Sequence, residues 1–208
     1  ETISNSHRVR FVGKDSIDKN FSKALSSVRL NLAQAIINGN HYKISIADIN
    51  LWTQIILNRI LFIRVCEARG LERDGLLKDF AATDFWTEFK RSSYIDFYEH
   101  YDGPMFARIR HIQDLIIDNA VFDDLLSYLY YPSPYCFDVI PLKSISDIYD
   151  LFLGYHLEYD DSGILENVLK SEFRKSNGAV TTPEHIVHNT IAVSYTHLRA
   201  HETSQDLV

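Results

Sequence analysis

The chain carries only two cysteines in 208 residues, Cys66 and Cys136, seventy positions apart. Both stand among apolar neighbours, so a disulfide scaffold and a cysteine-based zinc site are excluded. Glycine and proline are sparse as well, 8 and 5 residues, which removes collagen-like, low-complexity and wholly disordered classes. No uninterrupted apolar run reaches the roughly 18 to 20 residues that cross a bilayer. The segment from Glu1 to Arg10 has no signal-peptide core. These absences make a cytoplasmic chain without a membrane partner the expectation. Strict period-two alternation is nearly missing too, and Arg8 to Val12 is the one stretch that reads as a short strand. What remains is average for a globular protein, 46% hydrophobic and 24% charged. A chain of this length buries roughly 70% of its unfolded surface, so a packed core is expected.

Charge is unevenly spread. Residues 1 to 110 hold 16 Lys and Arg against 13 Asp and Glu, a balance of +3, and residues 111 to 208 hold 5 against 15, a balance of −10. The acidic second half is a poor surface for phosphates, so if DNA is the partner, this chain is not its main clamp.

The pattern is helical. From Asp18 to Ile37 the residues Phe21, Ala24, Leu25, Val28, Leu32, Ala35 and Ile36 recur three and four apart, the period of one helix face, and Gly39 stops the run. Ser45 to Asp48 has the Ser-x-x-Asp form of a capping box, and the helix it opens runs through Trp52, Ile56, Ile60 and Ile63 to Gly70, a residue suited to the left-handed position beyond a helix end. Between Ile55 and Cys66 this helix is apolar almost all round, which places it at the centre of a bundle. Further helices fit Thr83 to Tyr98, Ile112 to Tyr131, and Ser144 to Leu153. Breaks fall at Asp102-Gly-Pro104, Pro132 to Tyr135 and Asp160 to Gly163. The expected organisation is the end of a preceding segment at 1–13, one helical domain over 14–170, a new domain opening at 171–193, and a non-native, unpacked tail at 194–208. That tail resembles translated adapter read-through from short-read assembly, so the natural protein is expected to continue past Ala192. No repeat with a period of 20 to 50 residues is present.

Chemistry-bearing patterns are few. Glu184, His185 and His188 lack a third and fourth ligand at metal-site spacing, and no H-E-x-x-H occurs, so no metal ligand is assigned. No G-x-S-x-G elbow and no glycine-rich phosphate loop appears. The acidic pairs Asp123/Asp124 and Asp160/Asp161 read as solvated charge. Tyr94, Phe97, Tyr98, Tyr101, Tyr128, Tyr130 and Tyr131 lack interleaved basic residues and read as core and interface rather than as base-stacking platforms. Arg64 and Glu67 are spaced for an intrahelical ion pair, and Arg59 is expected to be satisfied by carboxylates or helix ends, with Arg69 in the same stretch. A structural role is favoured for these over phosphate contact. One segment has a mechanical signature: Gly178 permits an unusual backbone angle, Thr182 is a good N-cap, Pro183 suits the first helical turn, and Glu184 suits its positive end. A loop that feeds a helix start in this way leaves N–H groups able to hold an anionic end of a small ligand.

Five blocks carry a resemblance. They are Phe21 to Leu32 with its Arg29-x-x-Leu32; Ile56-Leu-Asn-Arg-Ile-Leu-Phe-Ile-Arg-Val-Cys-Glu-Ala-Arg-Gly-Leu71; Tyr101-Asp-Gly-Pro-Met-Phe106; Ile145-Ser-Asp-Ile-Tyr-Asp-Leu-Phe-Leu-Gly154; and Arg174-Lys-Ser-Asn-Gly178 through Thr182-Pro183 to Ile186-Val187. In this order and spacing the chain resembles the helical connector and opening methyltransferase segment of single-chain type IIG restriction-modification enzymes, the Eco57I-like group. The resemblance implies a mainly α fold: a connector bundle followed by the first helix of a truncated α/β methyltransferase domain. It also implies an adenine-N6 DNA methyltransferase of the gamma order joined to a restriction endonuclease, acting on double-stranded DNA with S-adenosylmethionine and with Mg²⁺ for cleavage. Gly178, Ala179, Val180, Thr182 and Pro183 match motif X, which helps to seat S-adenosylmethionine, although Thr181 stands where an aromatic residue is common. The glycine-rich loop, the Asn-Pro-Pro-Tyr loop and the PD-(D/E)xK nuclease do not occur in these 208 residues. The chain is therefore expected to hold no catalytic residue, to neither cleave nor methylate alone, and to have as partners the remaining nuclease, methyltransferase and target-recognition domains. The alternative is a free-standing all-helical interaction module.

Overall fold

The chain is described by a computed structural model covering residues 14–101, 104–135, 137, 138, 140 and 154–169, with side chains from residue 20. Helix α1, Lys14–Gly39, follows the predicted face: Phe21, Leu25, Val28, Leu32 and Ile36 are all buried, each contributing roughly 1.5 to 3 kcal/mol by leaving water. Helix α2, Ile46–Ala68, starts where the capping pattern places it. The Ser45 hydroxyl accepts from the Asp48 N–H at 3.1 Å, and the Asp48 carboxylate accepts that hydroxyl's proton at 2.6 Å. Its far end closes as a Schellman turn, with the Leu71 N–H on the Cys66 carbonyl at 2.9 Å and the Gly70 N–H on the Glu67 carbonyl at 3.0 Å. Gly70 takes φ +68, which a side chain would resist.

By length and composition alone, α2 could cross a membrane. Here it is the core helix, packed on α1 and on α3, Leu76–Ala81, and it buries Arg59, Arg64 and Glu67 beside its aliphatic residues. The central position expected of it is the one observed. Helices α4, Phe85–Tyr94, and α5, Asp96–Tyr101, then a 3₁₀ turn at Pro104–Phe106, α6, Arg110–Gln113, and α7, Ala120–Leu129, are the remaining helices among the described residues. Phe85, Trp86, Phe89 and Phe122 stack with ring centroids 4.3 to 5.9 Å apart where α4 meets α7.

Three expectations need correction. The helix expected over Thr83 to Tyr98 is two, because the chain breaks at Ile95 and the Asp96 carboxylate turns back onto the Ser92 hydroxyl at 2.9 Å and onto Arg91. The helix expected from Ile112 to Tyr131 is interrupted at residues 114–119, where other elements take the carbonyls. Lys90 donates to the Gln113 carbonyl at 3.1 Å, the Trp86 indole to that of Leu115 at 2.8 Å, and the Asn40 amide to that of Ile116 at 3.0 Å. The third is a hairpin that no alternation signalled: β1, Tyr155–Tyr159, pairs antiparallel with β2, Leu165–Leu169, from Tyr155 opposite Leu169 to Tyr159 opposite Leu165. The turn expected at Asp160 to Gly163 is present. The Asp160 carboxylate accepts the Ser162 and Ile164 N–H groups at 2.9 and 2.7 Å, and Gly163 takes φ +78.

The hairpin covers a small second core of Ala33, Ile49, Leu157 and Leu165, between α1 and α2. The fold is mainly α, as expected, and all described residues fall in one compact unit. Arg8 to Val12, Ser144 to Leu153 and 171–208, with the motif X segment, lie outside the described residues.

Candidate functional site

The densest chemistry among the described residues lies along α2. Arg64 is 6% exposed and Glu67 4%. The Arg64 guanidinium stands 3.4 Å from the Glu67 carboxylate, donates to the Leu129 carbonyl at 2.9 Å, and lies over the Tyr130 and Phe137 rings at 4.6 and 5.3 Å. Glu67 also accepts the Tyr130 hydroxyl at 2.6 Å and the Leu77 N–H at 3.0 Å. Burial pushes the Glu67 carboxyl above its usual range, and the bonds from Tyr130 and Leu77, then the charge of Arg64, oppose the shift. Burial and the neighbouring carboxylate push the Tyr130 phenol up. The unit has no open position: each carboxylate oxygen and the guanidinium already have protein partners. It locks α2 to α3 and α7 rather than presenting a reactive group.

Arg59 behaves alike. Its Nε and a terminal nitrogen donate to the Met105 and Ala107 carbonyls at 2.7 and 2.8 Å, and its carbon lies 5.3 Å from the centre of the Tyr94 ring. The partners are carbonyls at the C-terminal end of the 3₁₀ turn, a helix end as the sequence suggested, and not carboxylates. Burial lowers its pKa, with Tyr94 opposing. Arg69 donates to the Ile140 carbonyl at 2.6 Å from a more exposed position. The predicted Arg64–Glu67 pair is therefore present, and all three arginines of this block are engaged by the fold.

Sequence reasoning missed the second polar cluster. Arg29, 3% exposed on α1, donates to the Tyr155 carbonyl at 2.7 Å and to the Asn50 side chain at 3.2 Å, and burial lowers its pKa to about 10. Asn50 binds both backbone groups of Leu157, donating at 2.8 Å and accepting at 2.7 Å. Asn40 does the same for Ile116, donating at 3.0 Å and accepting at 3.2 Å. Each amide thus acts as a one-residue piece of strand. The only sequence signal was a charged residue within the apolar stripe at Arg29.

The remaining residues singled out in the sequence fall as follows. Tyr94, Phe97 and Tyr130 are buried, while Tyr98 and Tyr131 are exposed at 43% and 92%, so these residues form no continuous stacking surface. Asp123 and Asp124 are exposed, and Asp160 is a turn acceptor. Among the described residues no three His, Cys, Asp or Glu side chains gather as a metal site. Cys66 is a buried free thiol whose pKa burial raises. A groove of about 730 Å³ between α1 and α7 is lined by Asn31, Gln34, Asn38, Asp118 and Asp124 with apolar neighbours; it holds no lysine, arginine, histidine or cysteine. Gly178, Ala179, Val180, Thr182 and Pro183 lie outside the described residues.

No family model and no solved structure matches the chain. It is 31% identical over 179 residues to the type II restriction enzyme and methyltransferase RM.Eco57I of Escherichia coli, an alignment covering 85% of this chain and 17% of that protein. This likeness supports a relationship to restriction-modification enzymes, and the chain spans 17% of the length of the relative it matches.

Proposed function

We propose that this chain is the helical connector of a restriction-modification enzyme, leading into the first segment of an adenine-N6 DNA methyltransferase domain. The observation that carries the reading is the likeness over 85% of the chain to a restriction enzyme and methyltransferase. The engagement of Arg59, Arg64 and Glu67 inside the bundle supports a positioning role, because side chains held this way fix helices and leave none of their groups free for chemistry. In this reading the bundle holds a nuclease against a methyltransferase in a cytoplasmic enzyme of the Eco57I-like type IIG group acting on double-stranded DNA.

Gly178, Ala179, Val180, Thr182 and Pro183 would line part of the S-adenosylmethionine site, the helix start opened by Thr182 facing the cofactor's charged end. S-adenosylmethionine supplies the methyl group. The described residues do not fit Mg²⁺, having no cluster of three acidic or imidazole donors, and the metal would serve the nuclease domain.

Two experiments test this. The purified chain, given duplex DNA, labelled S-adenosylmethionine and Mg²⁺, is expected to show no methyl transfer and no cleavage above a protein-free control; either activity would overturn the positioning role. The coding sequence beyond Ala192 is expected to encode an Asp-Pro-x-x-Gly-x-Gly loop and an Asn-Pro-Pro-Tyr loop, and their absence would leave a free-standing interaction module.

A further inference from the structure

The segment just before α6 is held from inside and charged outside. Buried Arg59 takes the carbonyls of Met105 and Ala107, and Phe106 and Ile112 are buried on either side. Between them Ile109, the residue that precedes α6 and separates Arg108 from Arg110, is extended, at φ −120 and ψ 105. Successive side chains in such a segment point to opposite sides. Ala107 and Ile109 turn inward and are half-buried, while Arg108 and Arg110 are exposed, and the exposed His111 is ordered by stacking on Trp52 at 6.1 Å. Neither guanidinium has a hydrogen bond or ion pair among the described residues, unlike Arg29, Arg59, Arg64, Arg69, Arg73 and Arg91. The next acid along the chain is Asp114, at the end of α6.

We infer that Arg108 and Arg110 form a phosphate-contact surface for duplex DNA. The inference rests on the connector reading and adds the place where the connector itself touches DNA. A guanidinium presents a planar fork of donors that matches phosphate oxygens, and a fixed backbone lowers the entropy lost when the two side chains are ordered. Two such contacts position a protein on DNA without reading sequence, which suits a connector. They are also few enough to be compatible with a chain of net charge −7.

The test is a titration of a labelled 20-base-pair duplex with the full 208-residue chain over a salt series, read by fluorescence anisotropy. The double variant Arg108→Gln/Arg110→Gln is expected to weaken binding about tenfold at low salt and to flatten the slope of log affinity against log salt by roughly 2. The charge-matched control Lys23→Gln/Arg73→Gln, on other exposed positions, is expected to change affinity by less than about twofold, and the exposed Arg73–Asp79 pair it breaks is weak. Unchanged thermal melts would show both variants folded. No binding by the unsubstituted chain, or equal losses in both variants, would overturn the inference, as would unchanged affinity in the Arg108/Arg110 variant, which would assign these arginines to an acidic protein surface instead. The coding-sequence test stands apart from these outcomes, so the surface and the connector reading fail separately.

Discussion

Arg64 and Glu67 show how α2 carries ionised groups through a core without making them reactive. A buried ion pair stabilises little by itself, because desolvation offsets the attraction, but removing one partner leaves the other uncompensated. Arg64→Ala is therefore expected to lower stability by about 3 kcal/mol in urea unfolding. Arg69→Ala, which loses one bond at the surface, should cost about 1 kcal/mol or less. DNA affinity should move little in either, and a larger effect on affinity than on stability would contradict the structural role. Glu67 adds a pH signature. Burial holds its folded-state pKa above the ordinary carboxyl value, so the folded protein holds the proton more tightly than the unfolded chain. The stability from this linkage is fully present below about pH 4.5 and is lost as pH rises through the folded value. Glu67→Gln, which cannot ionise, is expected to gain stability relative to the unsubstituted chain as pH climbs through that window. A difference independent of pH between 4 and 8 would sink the assignment.

Elements whose determinants are local were legible in the sequence, and those fixed from afar were not. The face of α1 and both ends of α2 follow from neighbours no more than five positions apart: successive residues from Phe21 to Ile36, Ser45 with Asp48, and Cys66 with Gly70 and Leu71. The helix that should have continued through 114–119 is undone by Asn40, Trp86 and Lys90, which lie 23 to 76 positions earlier. The hairpin depends on Asn50, 107 positions before Leu157, and its first strand buries only one side chain, so no alternation could announce it. Asn50→Ala is expected to lower stability by roughly 2 kcal/mol, one lost bond at each of the Leu157 backbone groups. Faster hydrogen exchange should appear in 155–169 before it appears in α2; uniform exchange would mean the amide does not hold the hairpin. Where α1 meets the 114–119 segment, a Cβ at Gly39 would stand 2.3 Å from the Ile116 carbonyl oxygen. Gly39→Ala should thus force the two backbones apart and cost about 2 kcal/mol by thermal unfolding.

For the molecule as a whole, the motif X positions were suggested by cap chemistry and by resemblance, whereas the polar clusters that join the elements had no pattern in sequence, because a side chain that binds a distant backbone leaves no periodic trace. Those clusters make the hairpin part of the helical domain. It covers Ala33 and Ile49, and it supplies the Tyr155 carbonyl to Arg29 and both backbone groups of Leu157 to Asn50. A chain ending at residue 153 would leave those buried polar groups without their partners and open the second core to water, a loss of about 4 kcal/mol from two apolar side chains and the stranded groups. For a domain of this size that corresponds to a midpoint roughly 10 °C lower. A chain ending at Lys170 keeps the hairpin and every one of these bonds. Its melting midpoint is expected to match that of the full 208 residues within about 2 °C. Calorimetry of the three lengths decides the matter: if the chain ending at 153 melts with the others, the hairpin is an appendage, and if the one ending at Lys170 melts with the shortest, the domain requires residues beyond it.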